Sequence, residues 1–111
     1  MALSLQQSEY FLADAELQFR WYLEQAGLEV ARRYRLALQA TITQLLSAPE
    51  LGRPRFRGDP QLAGLRSFVL VRPFQKQLLF YRITGDALVI ERTIHGARDL
   101  PRRLKQPPVQ R

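Results

Sequence analysis

Residues 65–95 read LRSFVLVRPFQKQLLFYRITGDALVIERTIH, and this stretch decides the fold. Polar and apolar side chains largely alternate here, as is typical of β-strands with one buried face. The alternation predicts strands over residues 65–72, 76–83 and 87–95, which short turns join into an antiparallel meander. In the last strand, strict alternation places on one face Leu88, Ile90, Arg92 and Ile94.

Two amphipathic helices precede these strands. Ser8 is predicted to cap the first helix and Gly27 to end it, because a left-handed residue after a helix is usually glycine. The second helix is expected to end at Ala48, since the residue before a proline disfavours the helical conformation. A helical period predicts that the first helix buries Leu12, Ala15, Phe19, Tyr22, Leu23 and Ala26, and the second Ala31, Tyr34, Leu38, Ile42 and Leu45.

The order of these elements predicts an α+β fold. Leu3 and Leu5 indicate a short first strand, and the connection between the helices is short enough to make them antiparallel. We expect a β-α-α-β-β-β arrangement in which a helical hairpin packs on a small antiparallel sheet. We expect one domain over residues 1–104 and a basic, frayed tail over residues 105–111, with a short turn of helix over residues 98–104.

Composition excludes several classes of site. The 111 residues contain no cysteine and one histidine, so disulfides, thiolate zinc sites and cysteine nucleophiles are absent. The sequence contains neither phosphate-loop nor dinucleotide-binding motifs, and we expect no metal and no cofactor. No apolar run is long enough to cross a membrane, and the start lacks a basic leader, so we expect a cytoplasmic protein without a membrane partner.

The net charge of +7 is concentrated in the second half of the chain. Residues 1–50 hold 4 Lys or Arg and 6 Asp or Glu, whereas residues 51–111 hold 13 and 4. Arg53, Arg55 and Arg57 alternate in a loop rich in proline and glycine, which places them on one side of an extended segment. This charge indicates either an anionic partner, such as nucleic acid or an acidic protein segment, or simply a solvated cationic surface.

One histidine and three strand arginines suggest a catalytic hypothesis. Arg66, Arg82 and Arg92 lie on neighbouring predicted strands, and His95 ends the last one. Such a patch could bind a phosphodiester, with the histidine acting as general acid or base. The alternative is that the arginines are solvated and the histidine is structural.

Several motifs in family order resemble the RelE/ParE toxin superfamily. They span most of residues 8–104, and the last one looks ParE-like. The matching stretches are Asp14, Leu17 and residues 21–25, then residues 49–54, 64–67, 79–83, 85–86 and 94–101.

The resemblance implies the toxin of a type II toxin–antitoxin system. ParE-type members inhibit DNA gyrase and arrest growth, and a cognate antitoxin with an acidic C-terminal segment neutralises them. The residues expected to bind the target or the antitoxin are Arg53, Arg55, Arg57, Arg92, Arg98, Arg102 and Arg103.

RelE-type members instead cut mRNA on the ribosome without a metal. Under that alternative, Arg66, Arg82 and His95 stand at positions resembling the catalytic site. The sequence departs from the nucleases because no tyrosine follows Tyr81, and this favours gyrase as the target. A third hypothesis is a degenerate toxin that only binds its antitoxin.

Overall fold

A helical hairpin covers one face of a five-stranded sheet in the computed structural model, which describes residues 3–96 and 99–108. The predicted α+β class and helical hairpin are confirmed. The elements are β1 (Ser4–Gln7), α1 (Glu9–Ala26), α2 (Leu28–Ser47), β2 (Arg53–Pro54), β3 (Arg66–Val69), β4 (Gln77–Thr84), β5 (Ala87–His95) and α3 (Leu100–Leu104).

The sheet is mixed rather than purely antiparallel, with the strand order β1-β5-β4-β3-β2. The meander β3-β4-β5 is antiparallel as predicted, but β1 pairs with β5 in parallel. Two features were not predicted: β2, which adds an edge of two residues, and the end of β3 at Val69. Beyond that residue, Leu70 donates its N–H to Gln77 at 3.1 Å and closes the connection to β4.

A β-bulge in β5 overturns the predicted arrangement of its side chains. Phe80 pairs with Arg92 and Tyr81 pairs with Ile90, so Glu91 is the extra residue. A one-residue shift moves every later side chain to the opposite face of the sheet. Leu88 and Ile90 therefore pack under the helices, whereas Ile94 packs on the other side.

The helix ends confirm the sequence signals. The Ser8 hydroxyl accepts the Phe11 N–H at 3.0 Å, and Gly27 has a φ of 93° where α1 ends and α2 begins. The predicted stripe of α2 is buried throughout. The stripe of α1 is wrong in part: Leu12 and Leu23 are 51% and 40% exposed, Ala26 is exposed, and Phe11 and Asp14 are buried instead.

The sheet separates two apolar clusters. The larger one lies between the sheet and the hairpin and includes Phe11, Tyr34, Leu45 and Tyr81. The smaller one lies on the opposite face, under α3 and the loop before β3, and contains Leu62, Leu65, Phe80, Ile94, Leu100 and Leu104. The last three residues of the predicted tail, 109–111, lie outside the described part of the chain. No helix among the described residues is long and apolar enough to span a membrane.

Candidate functional site

Arg66 of β3 braces the segment that follows α2. Its Nη1 donates to the carbonyl oxygen of Gly52 at 2.7 Å. The Tyr81 hydroxyl, on the residue paired with Arg66, donates to Pro49 at 2.5 Å and accepts the Gly52 N–H at 2.8 Å. Burial raises the pKa of Tyr81, so its hydroxyl stays protonated at neutral pH and can donate. Arg66 thus contacts backbone at the exit of the hairpin.

Arg82 of β4 holds the loop on the other face of the sheet. Its Nε lies 2.7 Å from a carboxylate oxygen of Glu91, the bulge residue. Its Nη2 donates to the carbonyl oxygen of Gln61 at 3.1 Å, and its Nη1 donates to that of Ala63. All three guanidinium nitrogens of Arg82 therefore make contacts within the protein.

Arg92 of β5 forms a buried ion pair with Asp14 of α1. The guanidinium Nε and Nη2 donate to the two carboxylate oxygens at 2.7 and 2.9 Å, and the side chains are only 7% and 8% exposed. Asp14 also accepts the N–H of Thr93 at 3.1 Å. A bidentate, buried pair of this kind leaves Arg92 little surface to offer a partner.

His95 lies at a groove between α1, the end of β5 and the chain after α3. The groove has a volume of about 250 Å³ and is lined by Leu17, Trp21 and Arg103 among other residues. Arg103 donates to the carbonyl oxygen of His95 at 3.0 Å, and Trp21 is 41% exposed. The groove thus combines an aromatic side chain with both cationic and acidic side chains, among them Arg20 and Glu24.

The residues of the nuclease hypothesis do not converge. Arg66 lies on the hairpin side of the sheet with Tyr81, and Arg82, the next residue along β4, lies on the opposite side. His95 pairs with Gln77, whereas Arg66 pairs with Tyr81. These two positions of β4 are four residues apart, so His95 and Arg66 are separated by about 13 Å along that strand. The three side chains therefore contribute to three separate surfaces.

The remaining predicted binding residues form two groups. We call Arg53 of β2, together with Arg55 and Arg57 of the loop that follows it, the basic loop. Arg53 and Arg57 are exposed, and Arg55 donates to the Ser67 hydroxyl at 3.4 Å.

We call residues 99–108 the C-terminal segment. Within it, Arg102 is exposed beside Asp99 at 3.3 Å, and Arg103 is half-buried. Lys105 of this segment lies 2.6 Å from Asp59 and lowers the pKa of that carboxyl. Arg98 lies outside the described residues.

Sequence reasoning missed Asp14 as a partner of Arg92. Its signal was a carboxylate next to the predicted apolar stripe of α1, where an ionised group requires a counter-charge if it is buried. Among residues 3–96 and 99–108, no three His, Asp or Glu side chains lie close enough together to hold a metal ion.

Comparisons with known proteins agree with this architecture. The family model for the ParE toxin of type II toxin–antitoxin systems, parDE, matches residues 5–100. The solved structure of a chromosomal ParDE system from P. aeruginosa has a TM-score of 0.70 and 21% identity, covering 86% of this chain and 98% of that chain.

A more distant likeness is to a mutant of the E. coli toxin RelE in the free state. Its TM-score is 0.52 at 18% identity, covering 88% of this chain and 86% of that chain. At these identities the likeness concerns the fold alone. No curated protein matches the chain in sequence.

Proposed function

Because this chain belongs to the ParE toxin family, we propose that it inhibits DNA gyrase in the cytoplasm and arrests growth. A cognate antitoxin neutralises it. The match over residues 5–100 carries this proposal, since it includes α1, α2, the strands β2 to β5 and all of β1 except its first residue.

The geometry favours gyrase over mRNA as the target. A metal-free nuclease must place cationic and proton-transferring groups around one phosphodiester. Arg66 and Arg82 instead bind backbone carbonyls on opposite sides of the sheet. His95 lies apart from both, at the end of β5. This arrangement suits a protein that acts by binding rather than by cleaving RNA.

The charge of the second half suits an acidic antitoxin segment. Arg53 and Arg57 of the basic loop are exposed. Arg102 is also exposed, on α3, which packs on the face of the sheet away from the helical hairpin. Exposed cations accelerate the encounter with an anionic partner, and they do so most strongly at low ionic strength. The basic loop and the C-terminal segment are therefore the surfaces we assign to the antitoxin and the target.

A supercoiling assay with purified gyrase tests the proposal. We expect the toxin to inhibit supercoiling or to trap a cleavage complex, and we expect the product of the adjacent small reading frame to reverse the effect. Glu16→Gln is the matched control, because this exposed carboxylate belongs to neither surface.

Unchanged supercoiling and no trapped complex at excess toxin would contradict gyrase inhibition. Primer extension on translated mRNA would then show whether the ribosome is the target. Absence of both effects, with antitoxin binding retained, would indicate a degenerate toxin.

A further inference from the structure

Arg92 binds the C-terminal segment through its backbone. Its Nη1 donates to the carbonyl oxygens of Arg103, Leu104 and Gln106 at 3.1, 3.4 and 2.6 Å. These carbonyls lie at and just beyond the end of α3, where a helix leaves its last carbonyl groups without intrahelical partners. A cation at that end also interacts favourably with the helix dipole. Arg92 therefore caps α3 from a neighbouring strand.

A guanidinium buried to this extent requires a counter-ion, and α1 supplies it. Asp14 binds two guanidinium nitrogens of Arg92 and the N–H of Thr93, so its position is fixed by β5. A helix of five residues is too short to be stable alone. Besides the buried leucines Leu100 and Leu104 and the Lys105–Asp59 pair, the C-terminal segment is thus held by an ion pair whose acidic partner lies near the other end of the chain.

The contacts leave Arg102 of the segment exposed, whereas Arg103 is half-buried and Lys105 is paired with Asp59. Leu100 and Leu104 are buried against the sheet, and Arg92 contacts only carbonyl groups of the segment. Arg102 is exposed on the same short helix.

We propose that Asp14 and Arg92 are positioning residues whose buried ion pair holds the C-terminal segment in place for contact with gyrase. The pair itself contacts neither gyrase nor the antitoxin, in contrast to the partner contact predicted for Arg92. This inference rests on the proposed function, because the segment carries two predicted target-binding residues, Arg102 and Arg103.

Amide hydrogen exchange on the full chain tests the structural step without gyrase. The N–H groups of Arg103, Lys105 and Gln106 donate within the segment, so their exchange reports its order. We expect Asp14→Asn to accelerate exchange at these amides by about tenfold or more relative to the amides of β4, since local opening costs less once the clamp is broken. Glu16→Gln, on the same helix, should leave that ratio unchanged.

Arg92→Lys is the second variant. A lysine keeps the positive charge beside Asp14 but lacks the planar fork that reaches Asp14 and the carbonyls at once. We expect the same selective acceleration. An unchanged ratio in either folded variant overturns the proposal.

If neither variant folds, hydrogen exchange of the wild-type protein tests the proposal instead. The proposal then requires that the amides of Arg103, Lys105 and Gln106 be protected to within about tenfold of those in β4. Nearly unprotected exchange in the segment would overturn it.

Gyrase inhibition tests the functional step. We expect folded Asp14→Asn to need about tenfold more toxin for half-inhibition. Undiminished inhibition by a variant with a loosened segment would refute the positioning role. Failure of the wild type to inhibit gyrase would refute the proposed function instead, and the exchange result would still stand.

Discussion

The strand arginines and the basic loop carry the same charge in opposite surroundings. Arg66, Arg82 and Arg92 bind backbone carbonyls, and the last two also bind carboxylates. Arg53 and Arg57, by contrast, are exposed. The comparison teaches that an arginine count does not locate a binding surface, because guanidinium groups also serve as structural clamps.

Removing the buried clamp is expected to have the largest effect. Arg92→Ala leaves the Asp14 carboxylate buried without its partner, and this should lower the free energy of unfolding by about 3–5 kcal/mol. Chemical denaturation at neutral pH measures the change. Glu16→Gln, which breaks the exposed pairs with Arg20 of the same helix and Arg35 of α2, should cost less than about 1 kcal/mol. Equal losses in the two variants would remove the distinction between clamps and surface charges.

Tyr81→Phe tests the brace beside Arg66. The variant deprives the buried Gly52 N–H of its acceptor and the Pro49 carbonyl of a donor. We expect a loss of about 1–3 kcal/mol in the free energy of unfolding, since an unsatisfied buried group retains its desolvation cost. Urea denaturation measures it, and a loss no larger than that of Arg53→Gln would contradict the brace.

Tyr34 is a buried ionisable group that the fold keeps neutral, in contrast with the buried, charged Arg92. Burial raises the pKa of Tyr34 above its usual value near 10, so above that pH the unfolded chain loses a proton that the folded protein retains. The contribution of Tyr34 is therefore complete below pH 10 and declines as the pH rises, by about 1.4 kcal/mol per pH unit.

Denaturation between pH 9 and 11 checks this slope. Tyr34→Phe should show a shallower decline than the wild type, and the titration of lysines cancels in the comparison. Identical slopes would show that the hydroxyl is not held neutral by the fold.

The basic loop should have the smallest effect on stability. Arg53→Gln combined with Arg57→Gln should change the free energy of unfolding by less than about 0.5 kcal/mol, as is usual for exposed positions. The same variant should slow antitoxin association several-fold at low salt and little at high salt. Stopped-flow mixing at two ionic strengths measures the association rate. If the difference between the variant and the wild type does not depend on salt, the basic loop is not part of the interface.

Local signals predicted much of the fold because they depend on neighbouring residues. As predicted, Ser8 caps the start of α1, Gly27 follows its last residue, and Ala48 follows the last residue of α2. The strand β5 also has its predicted bounds. The buried stripe of α2 follows directly from helical periodicity. For α1, the period identified Ala15, Phe19 and Tyr22, which pack against the core, but it extended the stripe to Leu12 and Leu23, which are exposed.

The candidate site was less predictable because its contacts join distant parts of the chain. Exposure of Arg53 and Arg57 agrees with a loop rich in proline and glycine. The clamp joins Asp14 and Arg92, which are 78 positions apart, and no local pattern indicates that pairing.

The sequence alone determined the order of helices and strands, the helix caps and the concentration of charge in the second half. These properties follow from backbone preference, side-chain period and composition, which act over a few residues. Only the tertiary structure decided the parallel pairing of β1, the bulge at Glu91 and hence the face on which Arg92 lies. The physical reason is that a single extra residue in β5 reverses its alternation, and this reversal has meaning only once the strand is paired with β4.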